Sequence, residues 1–228
     1  VNGSVSLTNN GISFIPSFSL GKPATMVNLY IGKDNGKLSF EPEFRYALSG
    51  KPWAVIFIWR YKLVRSNKFN LTVGTHLPYL VFRSTTVIDS AGNKSDNIQA
   101  QRYFPVLETY PSYNLSKNTT IGIYYMYGIG LETNIPKHSQ FISFRSNFAS
   151  IKLSKAFYLK GMAQAYYLKL DKRDGFYTAL NVTLAKSDFP ISISSLVNKK
   201  LDSDIPGKNF DWNVSVNYSF KTKFVKAK

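Results

Sequence analysis

Cysteine is absent from the 228 residues, which excludes a disulfide framework and any thiolate metal site. Histidine is nearly absent, with 2 residues, His76 and His138, and their separation offers no metal-ligand spacing. No run of about 18 or more apolar residues occurs, so a membrane-spanning helix is excluded. Acidic residues are scarce: 13 Asp and Glu stand against 29 Lys and Arg, for a formal net charge of +16. No convincing helical period appears. The chain starts at Val1 with neither a charged n-region nor an apolar h-region, so an exported precursor is expected to have lost its signal peptide already.

The excess of positive charge is scattered rather than striped. It concentrates in expected turns, at Lys22, Lys51, Lys94, Lys137, Lys172, Arg173, Lys199, Lys200 and Lys208. No element interleaves basic and aromatic residues as a nucleic-acid surface would. The pattern suits lipid headgroup and lipopolysaccharide phosphates better than DNA or RNA.

What the chain has in quantity is alternation with period 2, nearly from end to end. Leu38, Phe40, Pro42, Phe44, Tyr46 and Leu48 alternate with Ser39, Glu41, Glu43, Arg45 and Ala47. Trp53, Val55, Phe57, Trp59, Tyr61 and Leu63 are interleaved with Arg60 and Lys62. The pattern predicts strands near 11–20, 25–33, 37–48, 53–64, 68–80, 101–115, 119–131, 140–153, 157–170, 175–186, 189–198 and 210–220. The count is about twelve, with ten or fourteen left open. Asp34-Asn35-Gly36-Lys37 signals a tight hairpin, because Asn-Gly tolerates positive φ. Folding there sets Asn28 opposite Glu43 and Tyr30 opposite Glu41. Folding the next hairpin across Ser49–Pro52 sets Trp53 opposite Leu48, Phe57 opposite Phe44, and Arg60 opposite Glu41. Pro42 donates no ladder bond and predicts a bulge or weak pairing point.

Alternation alone does not say which face is wet. About twelve strands enclose an interior too wide for side chains to fill, since about eight already suffice. A soluble sandwich is the competing architecture. Against it stand strands of ten or more residues, close to a tilted membrane strand. Tyr and Trp also gather near strand ends, at Trp53, Tyr61, Tyr103, Tyr113, Tyr167, Trp212 and Tyr218, as in an interfacial girdle. Connections at 34–36, 65–67, 116–118, 154–156 and 187–188 are short, and the two longest, near 81–100 and 199–209, fall on the other side. That is the pattern of periplasmic turns and extracellular loops. The expected fold is therefore all-β: a closed antiparallel transmembrane β-barrel over 1–220, with both termini periplasmic and 221–228 a basic periplasmic tail.

The chain resembles small outer-membrane barrels of the Bacteroidota. The resemblance rests on the strand pattern and on the ending Trp212-Asn213-Val214-Ser215-Val216-Asn217-Tyr218-Ser219-Phe220. Such families close with a strand ending in an aromatic residue, which the barrel-assembly machinery recognises. The Lys-rich residues after Phe220 depart from that pattern. Twelve-stranded outer-membrane phospholipases resemble this chain in size, but they imply a His and a Ser two residues apart on one strand. His76-Leu77-Pro78 and His138-Ser139-Gln140 do not fit.

By phase, the inward set includes Tyr30, Glu41, Glu43, Arg45, Arg60, Lys62, Arg102, Glu108, Arg145 and Lys160, with His76, Gln164 and several Asn. Glu41 and Glu43 lie two apart, at a separation compatible with acid–base chemistry on a sugar. Arg60 and Arg45 beside them favour an ion-pair network instead. No catalytic residue, metal ligand or cofactor is assigned. The favoured function is a structural or accessory subunit of a larger outer-membrane assembly. A narrow, weakly anion-preferring channel is the alternative, and a lipid-modifying enzyme comes third. Asp89-Ser90-Ala91 resembles a short O-glycosylation signal of Bacteroidota exported proteins. That makes Ser90, in the longest expected outer loop, the candidate modified residue.

Overall fold

The computed structural model describes the chain except residues 34, 89, 91, 93 and 223–228. Twelve antiparallel strands close into one barrel: β1 Asn2–Thr8, β2 Ala24–Gly32, β3 Leu38–Ala47, β4 Pro52–Arg65, β5 Phe69–Ile88, β6 Lys94–Asn114, β7 Thr119–Gly130, β8 His138–Lys152, β9 Phe157–Leu170, β10 Arg173–Lys186, β11 Ile191–Ser203 and β12 Phe210–Lys221. Each strand pairs with its sequence neighbours, and β12 returns to β1 through pairs from Asn2↔Lys221 to Thr8↔Ser215. Val1 and Thr222, the first and last described residues, meet at one end of the barrel, where the Val1 amine donates to the Thr222 carbonyl at 2.7 Å. This is called the terminal end below. Of the expected tail, 223–228 lies outside the described residues, and Lys221 belongs to β12.

The outer face is apolar around the hoop. Leu7, Trp59, Leu107, Phe144, Phe176, Ile193 and Val216 are exposed on seven different strands, and their alternates point inward. A surface of this kind is stable in hydrocarbon, and closure of the sheet leaves it no free edge there. Tyr61, Tyr113, Trp212 and Tyr218 stand outward near strand ends, as an interfacial girdle requires. Trp53 and Tyr103 do not: they are 2% and 4% exposed and lie inside the barrel.

The count of twelve is right, but its first member is not. The segment 11–20 is no strand. β1 is Asn2–Thr8, with Val5 and Leu7 outward and Ser6 and Thr8 buried inside. Residues 9–23 instead fold back into the barrel mouth opposite the terminal end. Gly11 and Lys22 form the neck, with the Gly11 amide donating to the Lys22 carbonyl at 2.8 Å. A short 3-10 turn, Pro16–Phe18, carries Phe18 inward. The alternation of Ile12 and Phe14 with Ser13 serves this insertion and not a wall, and Pro16 could not have donated to a ladder.

Registers were partly legible. The pairs Asn28↔Glu43 and Ile31↔Phe40 follow the expected β2–β3 hairpin, and no pair is formed at Pro42 between them. The β3–β4 hairpin is shifted by two residues. Arg60 pairs with Ser39, and Phe57 with Pro42, because the turn tightens at Gly50 and a bulge falls at Arg45/Tyr46. A slip of two keeps every side chain on its face, so the inward set survives it. The expected loop at 81–100 is mostly ladder: β5 and β6 continue as a paired hairpin, from Val81↔Gln101 to Ile88↔Lys94. The loop at 199–209 shrinks likewise, since β11 runs to Ser203. Ser90 sits exposed in the turn of the long hairpin, and its motif partners Asp89 and Ala91 lie outside the described residues.

Candidate functional site

The lumen is divided along its length. Towards the terminal end it is polar. The walls formed by β1, β2 and β10–β12 present small neutral groups, among them Ser4, Asn28, Asn181, Ser194 and Asn217. The facing walls present Glu43, Arg45, Arg60, Arg145 and Lys160. Between them lies a chamber of about 530 Å³. A second recess of about 410 Å³, lined by Tyr30, Glu41, Asn2 and Ser219, adjoins it at the terminal end.

At mid-height a charged network crosses β3–β7. Glu108 is its hub, 6% exposed. Its carboxylate accepts from both sides of the Arg60 guanidinium, from His76 Nε2 at 2.9 Å, and from the Tyr124 hydroxyl at 2.6 Å. Arg60 also donates to Glu41, as the joint phase of the two hairpins predicts, although the two residues are diagonal rather than directly opposite. Gly74, paired with Glu108 across the ladder, makes the room: a Cβ there would lie 2.7 Å from both Glu108 Oε1 and the Trp59 carbonyl. Arg45 is bonded to Glu43. Arg145 differs. Its guanidinium lies 3.7 Å over the Tyr124 ring and donates to Gln164 Oε1 at 3.1 Å, with no acidic partner among the described residues. Lys160 has no acidic partner among them either.

Beyond this network the interior turns apolar. Ile12, Ile15 and Phe18 from the inserted segment are buried against Tyr79, Tyr103, Phe141, Tyr166 and Leu168 of the wall, with Ile135 and Ile205 from neighbouring loops. Burying each such aliphatic or aromatic side chain is favourable by about 1.5–3 kcal/mol relative to exposure. Hydrogen bonds to the segment's backbone fix its height. The Trp53 indole donates to the Phe18 carbonyl at 2.6 Å, the Tyr166 hydroxyl donates to Phe14 at 2.8 Å, and Arg83 donates to Ser17. The Phe18 ring meets Tyr103 at 5.4 Å and Tyr79 at 6.2 Å. This end of the barrel is filled, and it is called the capped end.

Of the inward residues read from phase, Tyr30, Glu41, Glu43, Arg45, Arg60, Glu108, Arg145 and Lys160 lie in the lumen. Lys62 keeps the inward phase at the terminal rim and is half-buried. Arg102 is a correction. Its side chain is 62% exposed on the outer side and bonds Glu132 at 2.6 Å. The cause is a break in alternation. His76 and Tyr79 both point in, as do Tyr103 and Val106, so the phase slips at Pro78 and Pro105, which cannot donate to the ladder. Desolvation at the rim raises the Glu132 carboxyl, but the Arg102 side-chain and backbone donors outweigh it and leave it below its ordinary value. The inserted segment, which fills one end of the lumen, was not legible by period. Its available signals were Pro16 and the glycines at 11 and 21.

A closed twelve-stranded barrel with an apolar exterior and a polar, charged interior defines the outer-membrane β-barrel class. Solved structures share this fold. The chain superposes on a KdgM porin in complex with disordered oligogalacturonate with a TM-score of 0.60 and 11% identity, covering 97% of this chain and 100% of that one. A NanC porin gives 0.59 and 14%, covering 96% and 100%. An outer-membrane channel from Pseudomonas putida F1 gives 0.59 and 10%, covering 96% and 94%. At such identities the likeness is one of fold. No protein-family profile matches the chain, and no curated protein does.

Proposed function

We propose that this chain is a non-enzymatic outer-membrane barrel, shut at rest, that serves as a structural or accessory subunit of a larger outer-membrane assembly. The observation that carries the proposal is the seating of residues 9–23 in the capped end, on buried side chains and three wall-to-backbone hydrogen bonds. A solute pore needs a wet path from end to end, and this interior is packed with Ile, Phe and Tyr at the capped end. In a membrane the terminal end faces the periplasm and the capped end faces outward, since turns at the terminal end are short and the long β5–β6 hairpin leaves the other side. Basic residues at the capped end, such as Lys172, Arg173 and Lys208, then meet lipopolysaccharide phosphates. The Bacteroidota affinity rests on the closing strand.

Purification of the native membrane complex in mild detergent tests this. A larger partner at fixed stoichiometry is the expected result. A lone monomer with steady conductance in planar bilayers would instead favour the second reading, an anion-preferring channel. That reading has its own support in Arg145 and Lys160, two cations without acidic partners beside the chamber, and in the porin likeness of the wall. It requires residues 9–23 to leave the mouth.

A further inference from the structure

Charge is not shared evenly between the two ends of the barrel. At the capped end, basic and acidic residues alternate and pair: Arg102 with Glu132 at 2.6 Å, Lys208 with Asp211 at 3.4 Å, and Asp171, Asp174 and Asp204 nearby. At the terminal end a basic residue stands in or at the edge of every turn. The β4–β5 turn holds Arg65 and Lys68, and the β8–β9 turn holds Lys152 and Lys155. The other three carry Lys33 with Lys37, Lys117, and Lys186. All are exposed, and none has an ion pair among the described residues. The acid described in these turns is Asp188; Asp34 lies outside the described residues.

Each cation also has an exposed apolar neighbour on the outer wall. Val64 and Phe69 flank Arg65 and Lys68, Ile151 and Phe157 flank Lys152 and Lys155, and Leu115 precedes Lys117. Lys186 Nζ lies 5.9 Å from the centre of the Phe189 ring. A lysine so placed lays its stem along the apolar edge and holds its ammonium in the headgroup layer. A ring of them, with Asp188 the one acid described in these turns, attracts negative headgroups from all sides of the barrel.

We propose that the terminal end is a binding ring for the phosphates of anionic phospholipids in the leaflet on that side. The proposal rests on the membrane reading above but not on the accessory role. Folded full-length chain is tested by native mass spectrometry after exchange into mixed micelles of phosphatidylglycerol and phosphatidylcholine. Several retained phosphatidylglycerol molecules per barrel are expected, with several-fold selectivity over phosphatidylcholine, falling as salt rises. Lys68→Gln, Lys117→Gln, Lys152→Gln, Lys155→Gln and Lys186→Gln combined should lose that selectivity. A matched set at the capped end, Lys172→Gln, Lys199→Gln and Lys208→Gln, should keep it. Equal retention of both lipids, or equal loss in both variants, would overturn the ring. So would uptake of inorganic phosphate with no retention of phosphatidylglycerol, which would make free phosphate the ligand, or capture of an acidic protein in place of lipid. Insertion into phosphatidylcholine vesicles is measured alongside: failure to insert would overturn the membrane reading together with the ring, whereas insertion without lipid preference overturns the ring alone.

Discussion

A chain in which residues 12–20 are replaced by a two-glycine link is expected to carry a steady ion current in planar bilayers, where the intact chain carries none. The neck of the inserted segment makes the deletion feasible, because Gly11 and Lys22 are already bonded to each other and the wall strands β1 and β2 need no new path. Removing Ile12, Ile15 and Phe18 takes the middle out of the apolar packing and leaves Tyr79, Tyr103 and Tyr166 around an opening. The current should favour anions, since Arg145 and Lys160 then border the path without counter-charges. The sign of the reversal potential in a salt gradient reads this directly. Equal current from the intact chain would show that the segment does not shut the barrel. A silent deletion variant would move the closure down to the Arg60–Glu108 layer.

The second large effect concerns that layer. Glu108→Ala should lower stability by about 3 kcal/mol or more, the usual consequence of removing one partner from a buried ion pair. Glu108 has 3% of its side chain exposed, and its loss would leave Arg60, His76 and Tyr124 facing a gap. Arg60 keeps Glu41, which limits the damage. Urea unfolding of the barrel in lipid vesicles measures the change. Replacing both partners, Glu108→Leu with Arg60→Met, should recover much of it, because no buried charge then remains unpaired. An unchanged midpoint for Glu108→Ala would mean that water reaches the hub and screens it.

The wall was legible in the sequence because a membrane barrel writes its two faces as strict alternates. Phe40, Phe44, Trp59 and Val216 announce the outside, and Glu41, Glu43, Arg60 and Asn213 the inside. A register error of two, as at Arg60, left the faces intact, so Glu41 and Arg60 still met. Three features broke the code. Ser4-Val5-Ser6-Leu7-Thr8 alternates, but with two apolar residues it was weaker than the neighbouring Ile12–Ile15 run, which alternates for another purpose. Arg102 was placed inside because counting by twos cannot see a slip at Pro105. Trp53 and Tyr103 look like girdle residues in composition, yet they face the inserted segment. In the first and third cases an apolar residue answers to the interior, and period alone cannot separate hydrocarbon from a packed plug.

The seam has a mechanical consequence. A closed hoop fails where its joints are shortest, and β1 has 7 residues against 20 in β5 and 14 in β9. Its two ladders, to β12 and to β2, offer seven residue pairs each. No strand offers fewer pairs, and β2, with seven to β1 and seven to β3, only equals it, so sideways opening of the wall would start at β1 or its β2 neighbour. Amide hydrogen exchange would show this as faster turnover along β1 than along β9, and equal protection would argue for a hoop of uniform strength. The inserted segment hangs from the far end of that same strand. Any pull on residues 9–23 from outside the barrel is therefore transmitted first to its weakest joint, coupling the stopper to the gate in the wall.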